Sequence, residues 1–211
     1  MNGKESIERR RWAEWWAQGR PGALSTEAFQ ASMEQWVKTD GHSGPEPSEK
    51  LSAYTALNAV RMRRVVKTYK MSEPMKALLD GGRCAGQHWV LITESWCGDA
   101  AHSTPLVQMW AQRAGVNLHW VLRDRDNGLI DDFLTRGGKS VPIWIVADEE
   151  GTVLHCWGPR PQPALEMVLQ YRNAPEPKPP YSEFAAEVQL WYSKDRGRTF
   201  EKEAFEMLAS G

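Results

Sequence analysis

Cysteine is scarce in this chain. Three occur in 211 residues, Cys84, Cys97 and Cys156, and an odd, scattered set is neither a disulfide framework nor a zinc-ligand pattern. One reactive thiol is the better reading. Long hydrophobic runs are missing as well. No apolar stretch approaches the ~18 residues that a membrane-spanning helix needs, and the N-terminal MNGKESIERRRWAEWW has no apolar signal core. Neither membrane insertion nor export is indicated, and a cytoplasmic location is expected. Nor is there an excess of charge of either sign, since 26 Lys and Arg face 27 Asp and Glu for a net charge of −1. Without a global field, recruitment of nucleic acid or of an anionic membrane is not expected, and partners must be recognised locally.

What is present suffices for a folded protein. Hydrophobic residues make up 41% of the chain, and the 11 tryptophans run from Trp12 to Trp191 without forming a repeat, so most read as core and helix packing. Helical spacing of Ile7, Trp12, Trp15 and Trp16 predicts a first helix over Ser6 to Gln18. Phe29, Met33, Trp36 and Val37 behind a Ser25 or Thr26 cap predict a second, and Leu51 to Tyr69 mark a third over about residues 48–70. A short helix around Pro74 to Asp80 and the breaker GGRCAG lead to HWVLITES, apolar and β-branched as a buried parallel strand should be. Beyond it TPLVQMWAQRAG reads as helix, VNLHWVL as strand, GLIDDFLTRGG as helix, VPIWIVAD and TVLHCWG as strands, and PQPALEMVLQY as a closing helix. The proline-rich NAPEPKPP is a stiff connector to a helical tail, Tyr181 to Ser210. The expected class is α/β: a mixed four-stranded sheet flanked by helices. A helical N-terminal extension (1–80), a central domain (81–172), and a connector with helical tail (173–211) make up the chain.

The stretch ITESWCGDAAHSTP carries the chemistry. Trp96-Cys97-Gly98-Asp99 opens like a Trp-Cys-x-x-Cys redox motif, but Ala100 stands where the second cysteine would be. With Pro105 eight residues after Cys97, and with KSVPIWIV, this segment resembles the thioredoxin-like superfamily. LNAVRMRRVVKT, LRDRDN, TRGGKSVP and WGPRP extend the likeness to a group of bacterial thioredoxin-family proteins with a helical N-terminal extension. The resemblance implies a thioredoxin-like fold over about residues 86–171, with Trp96, Gly98, Asp99 and Ala100 framing Cys97. It also implies that Pro105 kinks the active-site helix, that Pro142 is a cis-proline facing Cys97, and that Val141 offers its backbone to an extended protein or peptide substrate. There are two departures. Leu91 stands where thioredoxins carry a buried acid, and no clear strand precedes residue 86.

A thiolate, not a thiol, attacks a disulfide, and a helix N-terminus such as the one after Cys97 stabilises the anion. Glu94 and Asp99 oppose it. Arg123 and Arg125 follow a strand parallel to the active-site strand and emerge at the same carboxyl edge, where they could offset the acids. Asp124, Asp126 and Asp131 beside them favour a locally paired surface instead. His102 reads as decoration of the second helical turn, and RMRRVVKTYK spreads its basic residues around a helix rather than along one face. Because Ala100 cannot resolve a mixed disulfide, three functions remain. Monothiol exchange on protein or small-thiol disulfides through Cys97, resolved by an external thiol, ranks first. A redox-inactive, chaperone-like peptide-binding module comes next. Metal or iron–sulfur binding by Cys97 with an external thiol is the third. No resident cofactor and no metal ligand set within the chain is expected. Cys84 should lie at the far end of the active-site strand, and a strand should separate Cys156 from Cys97, so no intramolecular bond between the latter two is expected.

Overall fold

The computed structural model describes residues 9–125 and 128–210; Ser6, Ile7 and Asp126 lie outside them. Its centre is a four-stranded sheet built from β1 (His88–Thr93), β2 (Asn117–Leu122), β3 (Ile143–Ala147) and β4 (Val153–Trp157). The order is β2-β1-β3-β4, with β1 parallel to β2 and antiparallel to β3, and β3 antiparallel to β4. The sequence explains the order. Central β1 and β3 are near-continuous apolar runs, as strands covered on both faces must be, whereas β4 alternates between half-buried and exposed residues as an edge does.

Eight α-helices surround the sheet among the described residues. They are α1 (Arg10–Ala17), α2 (Thr26–Lys38), α3 (Glu49–Thr68), α4 (Glu73–Asp80), α5 (Ala100–Ala114), α6 (Gln162–Asn173), α7 (Tyr181–Asp195) and α8 (Arg198–Ala209). Ser25, Ser48 and Ser72 each accept a bond from the amide three residues on, which starts α2, α3 and α4. On one sheet face Phe29, Met75, Trp110, Trp120, Trp144 and Phe200 form the larger core. On the other, Trp12 and Trp15 from α1 pack with Val90, Ile92, Phe133 and Ile145. Burying each such side chain contributes about 1.5–3 kcal/mol, so the N-terminal extension is part of the core on both faces. Leu24 also forms a one-residue bridge to Trp120, with N–H to O distances of 2.8 and 2.9 Å. It satisfies part of the outer edge of β2, where no earlier strand pairs.

Several boundaries differ from the sequence expectation. GLIDDFLTRGG forms only a five-residue 3-10 turn, Leu129–Phe133, because left-handed Gly128 precedes it and Arg136 and Gly137 have positive φ after it. Helix α5 begins at Ala100 rather than near Thr104, and Pro105 lies inside it. The tail is two helices, broken where Arg196 and Gly197 take φ of 56° and 80°. A Cβ at Gly197 would stand 2.5 Å from Leu106 Cδ2, so both the left-handed backbone and the close approach call for glycine. Buried Glu201 then ties α8 down, accepting from the Tyr69 hydroxyl and the Ser72 amide. No helix among the described residues is long and apolar enough to cross a membrane.

Candidate functional site

The carboxyl end of β1 runs into a turn that carries the motif. Register places Ile92 opposite Ile143, so the residues just after β1 meet those just before β3. As a result the Cys97 thiol donates to the Val141 carbonyl at 3.2 Å. The Val141–Pro142 peptide is cis. Cys97 is only 8% exposed and packs among Trp96, Ala100, Val141 and Ile143.

The charge balance at Cys97 follows from that burial. Desolvation, then the Asp99 carboxylate, push its thiol up to about 12; the amides of Ala100 and Asp99 and the guanidinium of Arg160 pull the other way and lose. The helix N-terminus thus acts in the direction expected, but burial outweighs it. The resting thiol is neutral. Glu94 is not its opponent: it accepts from the Ser43 hydroxyl and from the Asp124 amide at 2.9 Å, and burial raises its carboxyl above the usual range.

Asp99 organises the far side of the motif. Arg160 approaches it to 2.6 Å and the Tyr192 hydroxyl donates to it at 2.9 Å. Burial raises the Asp99 carboxyl, and the Arg160 charge and the Tyr192 bond counter the rise. Arg160 reaches this position because Gly158, at φ 136°, lets the loop after β4 touch the backbone of Pro142; an added Cβ would collide with the Pro142 carbonyl oxygen. Tyr192 belongs to α7, which also contributes Gln189. His102 stacks on Tyr192 with ring centroids 4.4 Å apart and bonds Gln189 Oε1 at 2.9 Å. Burial lowers its imidazole to about 4. Being neutral, His102 donates to that oxygen, which leaves the Gln189 amide nitrogen free to face Gly98. His102 is therefore a docking contact for α7 rather than decoration.

A buried polar network fixes the other side. Ser43 and Ser95 exchange amide-to-hydroxyl bonds, each 2.9 Å; Thr55 Oγ1 lies 2.8 Å from Ser95 Oγ; and Asn58 donates to the Ser95 carbonyl at 3.0 Å. The helical extension thereby holds the residue two before Cys97.

Not every sequence candidate reaches the thiol. Arg123 lies over the Trp96 ring at 5.0 Å, pairs with Asp124 at 2.7 Å and donates to the Lys139 carbonyl at 3.0 Å. Arg125 reaches the Gly44 carbonyl, at 3.4 Å. The cation beside Asp99 is instead Arg160, and WGPRP is its one trace in the sequence. Tyr192 and Gln189 leave none. Cys84 is buried, Cys156 is exposed on β4 opposite Ile145, and all three cysteines are free.

Comparisons bear on the family and the fold. No curated protein matches the chain. The crystal structure of an HIV epitope-scaffold is similar in fold, with a TM-score of 0.51 at 15% identity, covering 76% of this chain and 92% of that one. A family model described as thioredoxin matches residues 44–175, which takes in the motif turn, the whole sheet and Arg160. The chain belongs to the thioredoxin family.

Proposed function

We propose that the protein performs monothiol thiol–disulfide exchange through Cys97, and that the closed site described above is its resting form. The observation that carries this reading is the 3.2 Å approach of Cys97 Sγ to Val141, with Ala100 at the place of a second thiol. In the exchange, the Cys97 thiolate attacks a disulfide of a protein or small molecule and forms a mixed disulfide, and one sulfur leaves as a thiolate. A second, external thiolate then attacks that mixed disulfide, takes the substrate sulfur and releases Cys97. Trp96, Gly98, Asp99 and Val141–Pro142 frame the sulfur, and the reducing cytoplasm, where external thiols are abundant, suits three free cysteines. Burial and Asp99 keep the thiol protonated, and release of α7, whose Tyr192 bonds Asp99 and whose Gln189 faces Gly98, is our reading of how the motif opens for turnover.

The test is Tyr192→Ala, which removes the Asp99 and His102 contacts of α7. With glutathione disulfide, intact-mass spectrometry should show Cys97 capped at least ~10-fold faster than in wild type, and nothing in Cys97→Ser. The raised thiol also favours a second reading, a peptide-binding module without turnover. An unreactive Cys97 in folded Tyr192→Ala would decide for that module.

A further inference from the structure

Beside the motif, between α3, α5 and the α7–α8 corner, lies a cleft of 250 Å³ in the resting form. Three guanidiniums line it, from Arg61, Arg64 and Arg196, and no Asp or Glu does. Arg61 bonds Asn58 at 2.9 Å and feels the Asp99 carboxylate. Among the described residues Arg64 and Arg196 form no ion pair, so two of the three charges have no carboxylate partner. Three cations facing one concavity repel each other, and an anion relieves that repulsion. The field is felt locally: Arg61 and Arg64 add to the lowering of His102.

We infer that this cleft is a binding site for phosphate or a small phosphate monoester. Guanidinium forks match phosphate oxygens bidentately, and the Ser193 hydroxyl at the cleft adds a neutral donor. Size limits the ligand. The cleft falls just below the ~300–1,000 Å³ of ordinary small-molecule sites, enough for the phosphate and a short carbon arm lying on Val65 and Leu190. The site is made jointly by the helical extension and the tail. Arg63, one position from Arg64, faces a different groove, which is why the basic run on α3 shows no single face in the sequence. The cleft also abuts the redox motif, since a Cβ on Gly98 would lie 3.5 Å from Arg61 Nη1.

Isothermal titration calorimetry of the full chain tests the assignment, with inorganic phosphate, glycerol 3-phosphate and succinate at matched ionic strength. Phosphate or glycerol 3-phosphate should bind saturably, and succinate at least ~10-fold more weakly. Arg64→Gln/Arg196→Gln, which removes two charged donors, should weaken phosphate binding at least ~10-fold while circular dichroism stays as in wild type and the ligand-free melting temperature does not fall. Arg64→Gln alone, at an exposed position, serves if the double variant does not fold. No saturable heat with either phosphate ligand, equal binding of succinate, or undiminished affinity in a folded variant would each overturn the site.

Discussion

The Tyr192 hydroxyl donates to Asp99 at 2.9 Å across 93 positions of sequence. A helix beyond the family-matched segment is thereby attached to the residue two after Cys97, and the other oxygen of the same carboxylate holds Arg160 at 2.6 Å. After burial, this carboxylate does most to raise the Cys97 thiol.

Asp99→Asn removes the negative charge that, after burial, does most to raise the Cys97 thiol, and leaves Arg160 beside it. The pKa should fall. Alkylation by iodoacetamide at pH 8.5 should be at least ~10-fold faster than in wild type, whose rate should climb with pH without a plateau up to pH ~10. Arg160 loses its ionic partner, so stability in urea should drop by about 1–3 kcal/mol.

His102 gives a pH dependence of known sign. Its folded-state value is lowered to about 4 from an ordinary 6.5, so the unfolded chain binds the proton more readily. The stability associated with neutral His102 is complete above pH 6.5 and is lost as pH falls towards 4, by up to about 3 kcal/mol. His119, also lowered to about 4 by burial, acts in the same direction. Glu94 and Asp99, raised by burial, act the other way, so the test is the difference: urea midpoints measured from pH 7 to pH 4 should fall less in His102→Gln than in wild type.

Ala100→Cys places a second thiol in the same packed cluster as Cys97, at the first residue of α5. Insulin reduction, weak or absent in wild type, should appear. If the variant folds, forms a disulfide between Cys97 and the introduced thiol and still reduces nothing, the binding-module reading gains.

Asn58→Ala deletes the donor to the Ser95 carbonyl, both groups being buried. An unsatisfied buried carbonyl costs about 1–3 kcal/mol. Stability in urea should fall by that amount, whereas Arg63→Ala, exposed on the same helix, should change it by less than ~0.5 kcal/mol.

Legibility in the sequence followed the range of the interaction. HWVLITES and VPIWIVAD read correctly as strands because burial on both faces leaves an apolar run within the segment itself. Ser25 could be read as a cap because its partner amide is three residues away. GLIDDFLTRGG misled because its apolar Leu129, Ile130 and Phe133 have helical spacing and are buried, while the flanking left-handed backbone ends the turn. At the candidate site, the nearness of Cys97 to Val141 and Pro142 could be expected from local motifs. Arg160, Tyr192, Gln189 and Asn58 act across 37 to 93 positions of sequence in the contacts that matter, or through a loop whose course depends on Gly158, and no local pattern encodes such a pairing. The sign of the Cys97 shift belonged to the same class: amides, acids and cations could be counted, but the depth of burial could not.

Helix α7 follows the family-matched segment along the chain, and a ribosome delivers residues in that order, with domains folding as they emerge. A chain made only as far as Arg160 therefore lacks the Tyr192 bond to Asp99, the ring stacked on His102, the Arg196 corner and the Phe200 that α8 adds to the core. The same span of sequence thus has one set of contacts before its tail is made and another after it.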